Sequence, residues 1–318
     1  MNNNKLENKK VIVTGGAGFI GSHLCEELVK INANVISIDD MSAGHQSNTE
    51  LLKNNNNFKF VNKSVTDTNG MDELFDGAYA IFHNAASKKN ICDKDPKKDL
   101  NVNAEGALNL LEYSKKHKVE RFIHASTGSV YGEPSIFPST EDHPLSPVSY
   151  YGVSKLAGER YVDVFNHLYG LKTTILRYFH IYGPRQESNE FGGVVSIFLR
   201  NALAGTPLVI FGDGKQIRSF TWVKDLVSIN LKAAVADEAV GQVYNAVSGI
   251  QISVLDLAKK IVEITGSKSE IVHGERLLGD IDYFDVSNQK VSNELGIEFE
   301  KDFWGTLECA LSEYKKDF

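Results

Sequence analysis

The sequence predicts an α/β protein in which a doubly wound parallel sheet is followed by a smaller C-terminal α/β lobe. Three observations support this fold class. Short apolar runs alternate with helical patterns through the first half of the chain, as is typical of βαβ units. A glycine-rich turn joins the first apolar run to the first helix. After Tyr178 glycines and prolines become closely spaced, which indicates shorter elements and a second lobe.

The strands expected in the first half are short, and most are followed by a helical segment. In the first helix Leu24, Leu28 and Ile31 recur at i, i+4 and i+7, so one stripe of the helix is buried. Two longer helical patterns cover residues 101–118 and 151–168. The strands are expected at residues 11–14, 35–39, 58–62, 78–83, 121–125 and 172–178. Strands separated by such helices form a parallel sheet that is covered on both faces.

The change of rhythm after Tyr178 divides the chain into two predicted domains. Two helical patterns flank a short strand at residues 243–246, so we expect the chain to cross back to the first domain there. The predicted domains are residues 1–178 with a return segment at about 223–248, and residues 179–222 together with 249–318.

Composition excludes several classes of protein. The 318 residues include 34 Lys and Arg against 41 Asp and Glu, a net charge of −7, which disfavours a nucleic-acid-binding protein. No apolar run is long enough to span a membrane, and the polar first ten residues do not resemble a signal peptide. Cys25, Cys92 and Cys309 are far apart and form no CxxC motif. We therefore expect neither disulfides nor a metal site, and a cytoplasmic location.

The turn after the first strand has the composition of a phosphate-binding site. Gly15, Gly18 and Gly21 permit a tight turn, close approach of a pyrophosphate and packing of the helix on the sheet. The start of the helix then presents free N–H groups to the phosphates. Asp39 ends the second strand where an acid would bind the ribose hydroxyls, and Asp40 adds negative charge that repels a 2′-phosphate. The sequence predicts NAD rather than NADP, against the alternative of a glycine-rich turn without a ligand.

A tyrosine and a lysine form a candidate reactive pair. Tyr151 and Lys155 stand at i and i+4 in a helical pattern and share one face. A nearby ammonium lowers the pKa of a phenol, which makes it available as a base when hydride leaves an alcohol carbon. Ser126 and Thr127 follow a predicted strand at the sheet edge where ligands gather. Taken alone, the pair fits a surface lysine beside an amphipathic tyrosine, and the hydroxyls fit a turn or helix cap.

These motifs, in this order, resemble the extended short-chain dehydrogenase/reductase superfamily, and within it the nucleotide-sugar epimerase/dehydratase branch. The matching segments are TGGAGFIGSHL (14–24), FHNAA (82–86), ASTGSVYG (125–132), YGVSK (151–155), LRYFHIYGPRQ (176–186) and FGDGKQIRSF (211–220). The resemblance implies an NAD-binding Rossmann domain and a smaller lobe that holds a nucleotide sugar.

The resemblance also implies a role for each matching residue. Tyr151 would be the catalytic base, Lys155 its partner and the anchor of the nicotinamide ribose, and Thr127 the group that bonds the reacting hydroxyl. The cofactor-binding residues that it implies are Gly15, Gly18, Phe19, Ile20, Gly21, Asp39, Asp40, Ala85, Ala86, Asn103, Tyr151 and Lys155. The substrate-binding residues that it implies are Lys88, Thr127, His180, Val194, Phe211, Arg218, Arg276 and Asp280.

Within the substrate set, the resemblance implies that Phe211 stacks on the nucleotide base and that Asp280 binds its ribose. Arg218 and Arg276 would bind the diphosphate, a task that suits the forked guanidinium group. His180 replaces the asparagine that is usual in the family motif, so a phosphate or base contact and a packing role are both open for it.

The choice of reaction within the branch depends on the residues after Thr127. Dehydratases of the branch carry acidic residues there, because elimination of water needs an acid and a base. Gly128 and Ser129 occupy these positions here. The sequence therefore predicts an NAD-dependent 4-epimerase of a UDP-hexose or UDP-N-acetylhexosamine, which oxidises C4 transiently to a ketone. A nucleotide-sugar reductase or dehydratase, or a non-catalytic NAD-binding protein, are the alternatives. Tyr283 or Phe284 are candidates to limit the size of the C2 substituent.

The resemblance extends to assembly. Pairs of helices in this branch commonly pack as a four-helix interface between two subunits, and the helical patterns at 101–118 and 151–168 would supply it here. We therefore expect a homodimer. By resemblance, a role in polysaccharide biosynthesis is also expected.

Overall fold

The protein is described by a computed structural model that covers residues 3–87, 89–189, 192–276 and 283–315. Its strands are β1 (Lys10–Thr14), β2 (Asn34–Asp39), β3 (Phe58–Asn62), β4 (Ala80–His83), β5 (Arg121–Thr127), β6 (Thr173–Tyr178), β7 (Ile181–Tyr182), β8 (Leu208–Phe211), β9 (Ile217–Trp222), β10 (Gln242–Ala246), β11 (Ile250–Ser253) and β12 (Ile271–Gly274). The α-helices are α1 (Phe19–Lys30), α2 (Ser47–Glu50), α3 (Met71–Phe75), α4 (Lys89–Lys94), α5 (Pro96–Leu100), α6 (Gly106–Lys116), α7 (Tyr150–Tyr169), α8 (Val194–Leu203), α9 (Val223–Val235), α10 (Val254–Thr265), α11 (Gln289–Leu295) and α12 (Phe303–Tyr314).

A seven-stranded sheet forms the centre of the molecule. Its strand order is β10-β6-β5-β4-β1-β2-β3, and all neighbouring strands pair in parallel. The order reverses between β1 and β4, and ligands bind at such a switch point, outside the carboxyl ends of the strands. The predicted Rossmann fold class is therefore confirmed. β10 reaches the sheet from beyond residue 240 and pairs with β6.

Both faces of the large sheet are covered by apolar packing. One cluster joins α1 and α9 to the sheet through residues such as Leu24, Leu28 and Leu226. A second cluster on the other face includes Leu110 of α6 and Val162 of α7. Strands buried on both sides explain why β1, β4 and β5 are continuous apolar or buried segments rather than alternating ones.

A separate apolar cluster underlies the C-terminal part of the chain. Helices α8, α10 and α12 pack around β8 and β9, with Phe198, Leu257 and Phe303 in the interior. The sequence indicated only short elements here, and β7, β8, β9, β11 and β12 have between two and six residues each. Two cores support the proposed division into two domains, whose boundaries stay a prediction.

The helix expected at residues 101–118 begins earlier and is not uniform. α5 runs into a π-helical turn over Asn101–Glu105, and the α-helix proper starts at Gly106. The turn places Asn103 toward α7, whose residues it contacts. Among the described residues, no helix has both the length and the apolar character that crossing a membrane requires.

Candidate active site

The glycine-rich turn between β1 and α1 is shaped by close backbone approaches. Gly15 has a φ of +71°, and a Cβ there would lie 2.8 Å from the backbone nitrogen of Ala85. A Cβ at Gly21 would overlap the carbonyl oxygen of Gly15. Gly18 precedes the helix without a side-chain cap, so the first N–H groups of α1 are presented to whatever fills the cleft. A pyrophosphate suits this cradle in space and in charge.

The carboxylate of Asp39 is held in place at the end of β2. Its Oδ2 accepts the N–H of Ala17 at 3.0 Å, and its Oδ1 accepts the N–H of Met41 at 2.9 Å. Desolvation raises the pKa of Asp39, and the two N–H donors oppose that rise. A Cβ at Gly44 would lie 2.8 Å from Oδ1, so glycine keeps this flank of the carboxylate open. The arrangement fits the two hydroxyls of an adenosine ribose.

One cavity of about 510 Å³ joins the glycine cradle to the reactive pair, a volume within the range of small-molecule and cofactor sites. Its lining includes Gly15, Gly18, Phe19, Ile20, Gly21, Asp39, Asp40, Ala85, Ala86, Tyr151 and Lys155. The structure thus brings together every predicted cofactor-binding residue except Asn103. Most of the lining comes from the carboxyl ends of β1 to β6 and the segments that follow them.

The reactive pair lies in the first two turns of α7. Ser149 caps this helix, because its hydroxyl accepts the N–H of Gly152 at 3.1 Å. The Nζ of Lys155 donates to the carbonyl oxygen of Ala125 at 2.5 Å. Burial lowers the pKa of Lys155 to about 8 despite two nearby carboxylates. The ammonium is therefore held against the end of β5, beneath the cavity.

The hydroxyl of Tyr151 has a hydrogen bond with Thr127, the last residue of β5. Desolvation raises the pKa of Tyr151 to about 12, and the bond to Thr127 opposes that rise. The phenol is consequently protonated at neutral pH until positive charge approaches it. The hydroxyl of Thr127 also accepts the N–H of Ser129 at 3.2 Å. This bond fixes the Thr127 side chain at the carboxyl end of β5.

The residue after Thr127 has no room for a side chain. A Cβ at Gly128 would overlap the ring of Phe179. That ring is buried and packs on Tyr131 and on Phe284, with centroids 6.2 and 5.4 Å away. Two residues are candidates to limit the size of the C2 substituent. Phe284 packs beside Phe179, whereas Tyr283 packs on Phe137 at the surface.

Asn103 is not among the residues that line the cavity, and its contact with the cofactor stays a prediction. Its Oδ1 accepts the N–H of Ser87 at 2.8 Å, and its Nδ2 donates to Asp99 at 2.6 Å and to Ser154 at 3.0 Å. Because these bonds engage both ends of the amide, Asn103 ties the loop after β4 to α7. It supports the cavity from behind.

Of the predicted substrate-binding residues that the structure describes, Thr127 contacts Tyr151 in the cavity lining, and the others are not among the residues that line the cavity. Phe211 ends β8 with its ring exposed, opposite Gly274 of β12, and the Cβ of Arg276 lies 3.9 Å from where a Cβ of Gly212 would stand. Arg218 lies on β9, and Val194 begins α8. His180 follows β6 with a φ of +38°. Its ring centroid lies 6.0 Å from that of Phe220. Lys88 and Asp280 lie outside the described residues.

Some cavity residues carried no assignment from the sequence. Tyr178 ends β6, and its hydroxyl contacts the side-chain oxygens of Asn84 and Asn230 at 3.1 Å each. Lys63 and Ser64 follow β3, and Glu187 reaches the cavity from the far side. The rule that ligands gather at carboxyl ends of parallel strands could have found Tyr178, Lys63 and Ser64. No sequence signal pointed to Glu187.

Comparison with known proteins places this geometry in a family. Residues 11–246 match the model of the NAD dependent epimerase/dehydratase family. The chain belongs to this family. A UDP-glucose 4-epimerase of Mycolicibacterium smegmatis is 35% identical over 291 residues, which cover 90% of this chain and 92% of that relative.

Two solved structures from the family are similar to this chain over nearly its whole length. The UDP-glucose 4-epimerase of Thermotoga maritima with UDP-glucose has a TM-score of 0.92 at 35% identity, covering 97% of this chain and 99% of its own. The UDP-glucuronic acid 4-epimerase of Bacillus cereus, in complex with UDP-glucuronic acid and NAD, has a TM-score of 0.91 at 31% identity, covering 97% and 100%.

The glycine cradle gives a first testable prediction. Replacing Gly21 with alanine forces its Cβ against the Gly15 carbonyl, so the cradle must shift and its N–H groups lose their alignment. We expect NAD to bind at least about tenfold more weakly, measured by titration calorimetry. Gly70→Ala is the matched control, because that glycine has a φ of +71° but no atom within 4 Å of an added Cβ. Equal affinity in Gly21→Ala and Gly70→Ala would contradict the assignment.

Proposed function

We propose that this chain is an NAD-dependent nucleotide-sugar 4-epimerase that acts on a UDP-hexose or a UDP-N-acetylhexosamine. The observation that carries the proposal is that Tyr151 and Lys155 line the same cavity as the glycine cradle, with Thr127 hydrogen-bonded to Tyr151. The family match and the named relatives support the same reaction class.

The cavity has the features that NAD requires. The glycine turn leaves space where a Cβ would intrude, and Asp39 offers a fixed carboxylate for a ribose diol but would repel a 2′-phosphate. Gly15, Gly18, Phe19, Ile20 and Gly21 would hold the pyrophosphate, and Ala85 and Ala86 would border the cofactor further along. When bound, NAD supplies the hydride acceptor for C4 of the sugar and then the hydride donor to its other face.

The proton transfers fall to this chain's own side chains. Thr127, which is hydrogen-bonded to Tyr151, would bond the C4 hydroxyl, and Tyr151 would take its proton as the carbon is oxidised. The ammonium of Lys155 lies one helical turn from the phenol and lowers the phenol's pKa when the cofactor's positive charge is also near. The same phenol returns the proton when C4 is reduced again.

Two residues after Thr127 favour epimerisation over elimination. Removal of water from a 4-keto sugar needs a side chain that takes one proton and another that gives one. Gly128 and Ser129 offer no carboxylate, and the Phe179 ring fills the space that a side chain at position 128 would need. The keto sugar can therefore turn over and accept hydride on its other face without a competing acid and base at these positions.

The second lobe is proposed to hold the nucleotide. Phe211 offers an exposed ring for the base, and Arg276 lies beside the turn that follows it. Arg218 and His180 lie on neighbouring segments, because His180 packs on Phe220 of the strand that carries Arg218, and Arg218 would bind the diphosphate. Val194, Lys88 and Asp280 complete the proposed substrate set on the strength of the family resemblance alone.

The proposed reaction is tested with a panel of sugar nucleotides. Purified protein with NAD is incubated with UDP-glucose, UDP-galactose, UDP-GlcNAc and UDP-glucuronic acid, and products are separated by chromatography with mass detection. We expect an epimer of unchanged mass and no net production of NADH. Loss of 18 mass units would indicate a dehydratase and loss of CO₂ a decarboxylase. Net consumption of NADH in a parallel incubation with NADH in place of NAD would indicate a reductase. Binding of NAD with no turnover of any sugar would support a non-catalytic protein.

Removing the phenol oxygen tests the role of Tyr151. We expect Tyr151→Phe to keep its fold and its NAD affinity, because the ring still packs, but to lose at least about 99% of kcat for lack of a proton acceptor. Tyr150→Phe, which alters an exposed neighbouring ring, is the control and should retain wild-type kcat. A Tyr151→Phe enzyme with an unchanged rate would refute the assignment.

We also propose a homodimer. Helix α7 exposes apolar side chains at Val153, Tyr161, Val164 and Leu168, which lie along one face of the helix. A second copy of the same face would bury them, as helix pairs do between subunits in this family.

We further propose that the enzyme acts in the cytoplasm and supplies a sugar for polysaccharide biosynthesis. The free cysteines Cys25, Cys92 and Cys309 support a reducing compartment.

A charge placed on this face should separate the subunits. We expect wild-type protein to have twice the 35.2 kDa chain mass in light scattering, and Val164→Asp to have the single-chain mass, because a carboxylate would be buried without a partner. Leu51→Asp, at another exposed leucine, should leave the mass unchanged. A wild-type protein of single-chain mass would exclude the dimer.

A further inference from the structure

A buried ion pair lies directly behind the reactive pair. Glu159 of α7 and Arg177 of β6 have only 1% and 3% of their side-chain surface exposed. The Nε of Arg177 donates to Glu159 Oε1 at 3.0 Å, and its Nη2 donates to Oε2 at 2.8 Å. Nη1 of Arg177 also donates to the hydroxyl of Tyr131 at 2.8 Å. The guanidinium thus fixes both oxygens of the carboxylate.

Glu159 is connected to the active site through Ser126. The Ser126 hydroxyl donates to Glu159 Oε1 at 2.5 Å. Ser126 stands between Ala125, whose carbonyl accepts Lys155, and Thr127, which bonds Tyr151. One carboxylate therefore holds the peptide segment that contacts both members of the reactive pair.

Glu159 also shares a helix face with these residues. Tyr151, Lys155 and Glu159 follow one another at intervals of four residues along α7, so their side chains project on the same side. The negative charge of Glu159 acts on the ammonium of Lys155 across one helical turn, in a buried setting where screening by water is weak.

We infer that Glu159 is a positioning residue of the active site: it anchors Ser126 at the end of β5 and keeps Lys155 protonated beside Tyr151. This inference rests on the proposed function for its catalytic consequence. The anchoring and the charge interaction are properties of the folded chain itself.

Other charged and titratable groups face Lys155 from the elements around it. The negative charge of Asp99 of α5 raises the pKa of Lys155, as that of Glu159 does. His83 of β4 and His124 of β5 are buried, and burial lowers the pKa of His83 to about 3 and that of His124 well below its usual value. Both rings are therefore neutral near pH 7, and the two carboxylates supply the stabilising charge.

The sign of the pH effect follows from this arrangement. Burial already lowers the pKa of Lys155 to about 8, and Glu159 is first among the charges that oppose the fall. Removing that charge must lower the pKa further, so Lys155 loses its proton at a lower pH. Above that pH the phenol lacks its positive neighbour, and the alkaline limb of the kcat profile moves to lower pH.

The direct test is NMR titration of protein labelled with ¹³C at the lysine ε position, with Lys155→Met assigning the resonance. We expect a midpoint near 8 in the wild type and a midpoint lower by about one pH unit or more in Glu159→Gln. Asp163→Asn is the matched control: it removes a carboxylate one turn further along α7, where Asp163 pairs with Arg160, and it should leave the midpoint in place.

A second variant covers the case in which Glu159→Gln does not fold, because it leaves a buried arginine without its anion. Glu159→Gln/Arg177→Met removes both charges and should also lower the Lys155 midpoint, because Glu159 is the member of the ion pair whose charge acts on Lys155. The kcat profile is then measured with whichever UDP-sugar is turned over. We expect its alkaline limb to follow the NMR midpoint, with KM nearly unchanged.

The outcomes separate this inference from the proposed function. A Lys155 midpoint equal to that of wild type in the folded variants overturns the inference, whatever the activity. An alkaline limb that stays in place while the midpoint moves overturns its catalytic part. Failure of the wild-type protein to epimerise any sugar would refute the proposed function, and the NMR titration would still decide the charge interaction.

Discussion

The whole site depends on a lysine ammonium that is held out of water beside a phenol. Moving an isolated charge from water into a protein interior costs about several kcal/mol, because the charge loses its hydration, unless close partners replace the water. Lys155 has such a partner in the carbonyl of Ala125, and the charges of Glu159 and Asp99 favour its protonated form. The end of β5, the start of α7 and the loop after β4 are arranged around that requirement.

The same constraint explains why the supporting residues are buried polar groups rather than apolar ones. Asn103 joins Asp99, Ser154 and the Ser87 backbone, and Arg177 joins Glu159 to the Tyr131 hydroxyl. The first network reaches the cavity lining at Ser87 and the second at Ser126. They hold the first turns of α7 against the sheet from two sides, so the cofactor and the sugar meet a surface whose geometry is already set.

The sequence predicted the parts of the fold that depend on local pattern. The parallel sheet, the glycine cradle and the positions of Asp39, Tyr151 and Lys155 all follow from periodicity, from residue spacing or from motifs within a few residues of each other. Motifs quoted for the family also located Thr127. The rule that ligands gather at the carboxyl ends of parallel strands could also have identified Tyr178. These features need no knowledge of how distant segments meet.

The parts that sequence reasoning missed depend on distant segments. Glu159 meets Arg177 and Ser126 only because α7 packs across β5 and β6, and Phe179 meets Gly128 only because those two strands are neighbours. The hydrogen bonds of Asn103 to Asp99, to Ser154 and to the backbone of Ser87 likewise join segments that are distant in sequence or lie in a π-helical turn that no pattern indicated. The short strands of the second lobe, β7 among them, carry too few residues to show a period.

The central claim is that hydrogen leaves C4 of the sugar as hydride and returns to the same carbon without exchange with solvent hydrogen. The most direct measurement uses a UDP-hexose deuterated at C4, run to equilibrium in ordinary water and analysed by NMR and mass spectrometry. We expect the epimer to keep its deuterium at C4. Replacement of that deuterium by solvent hydrogen would contradict it.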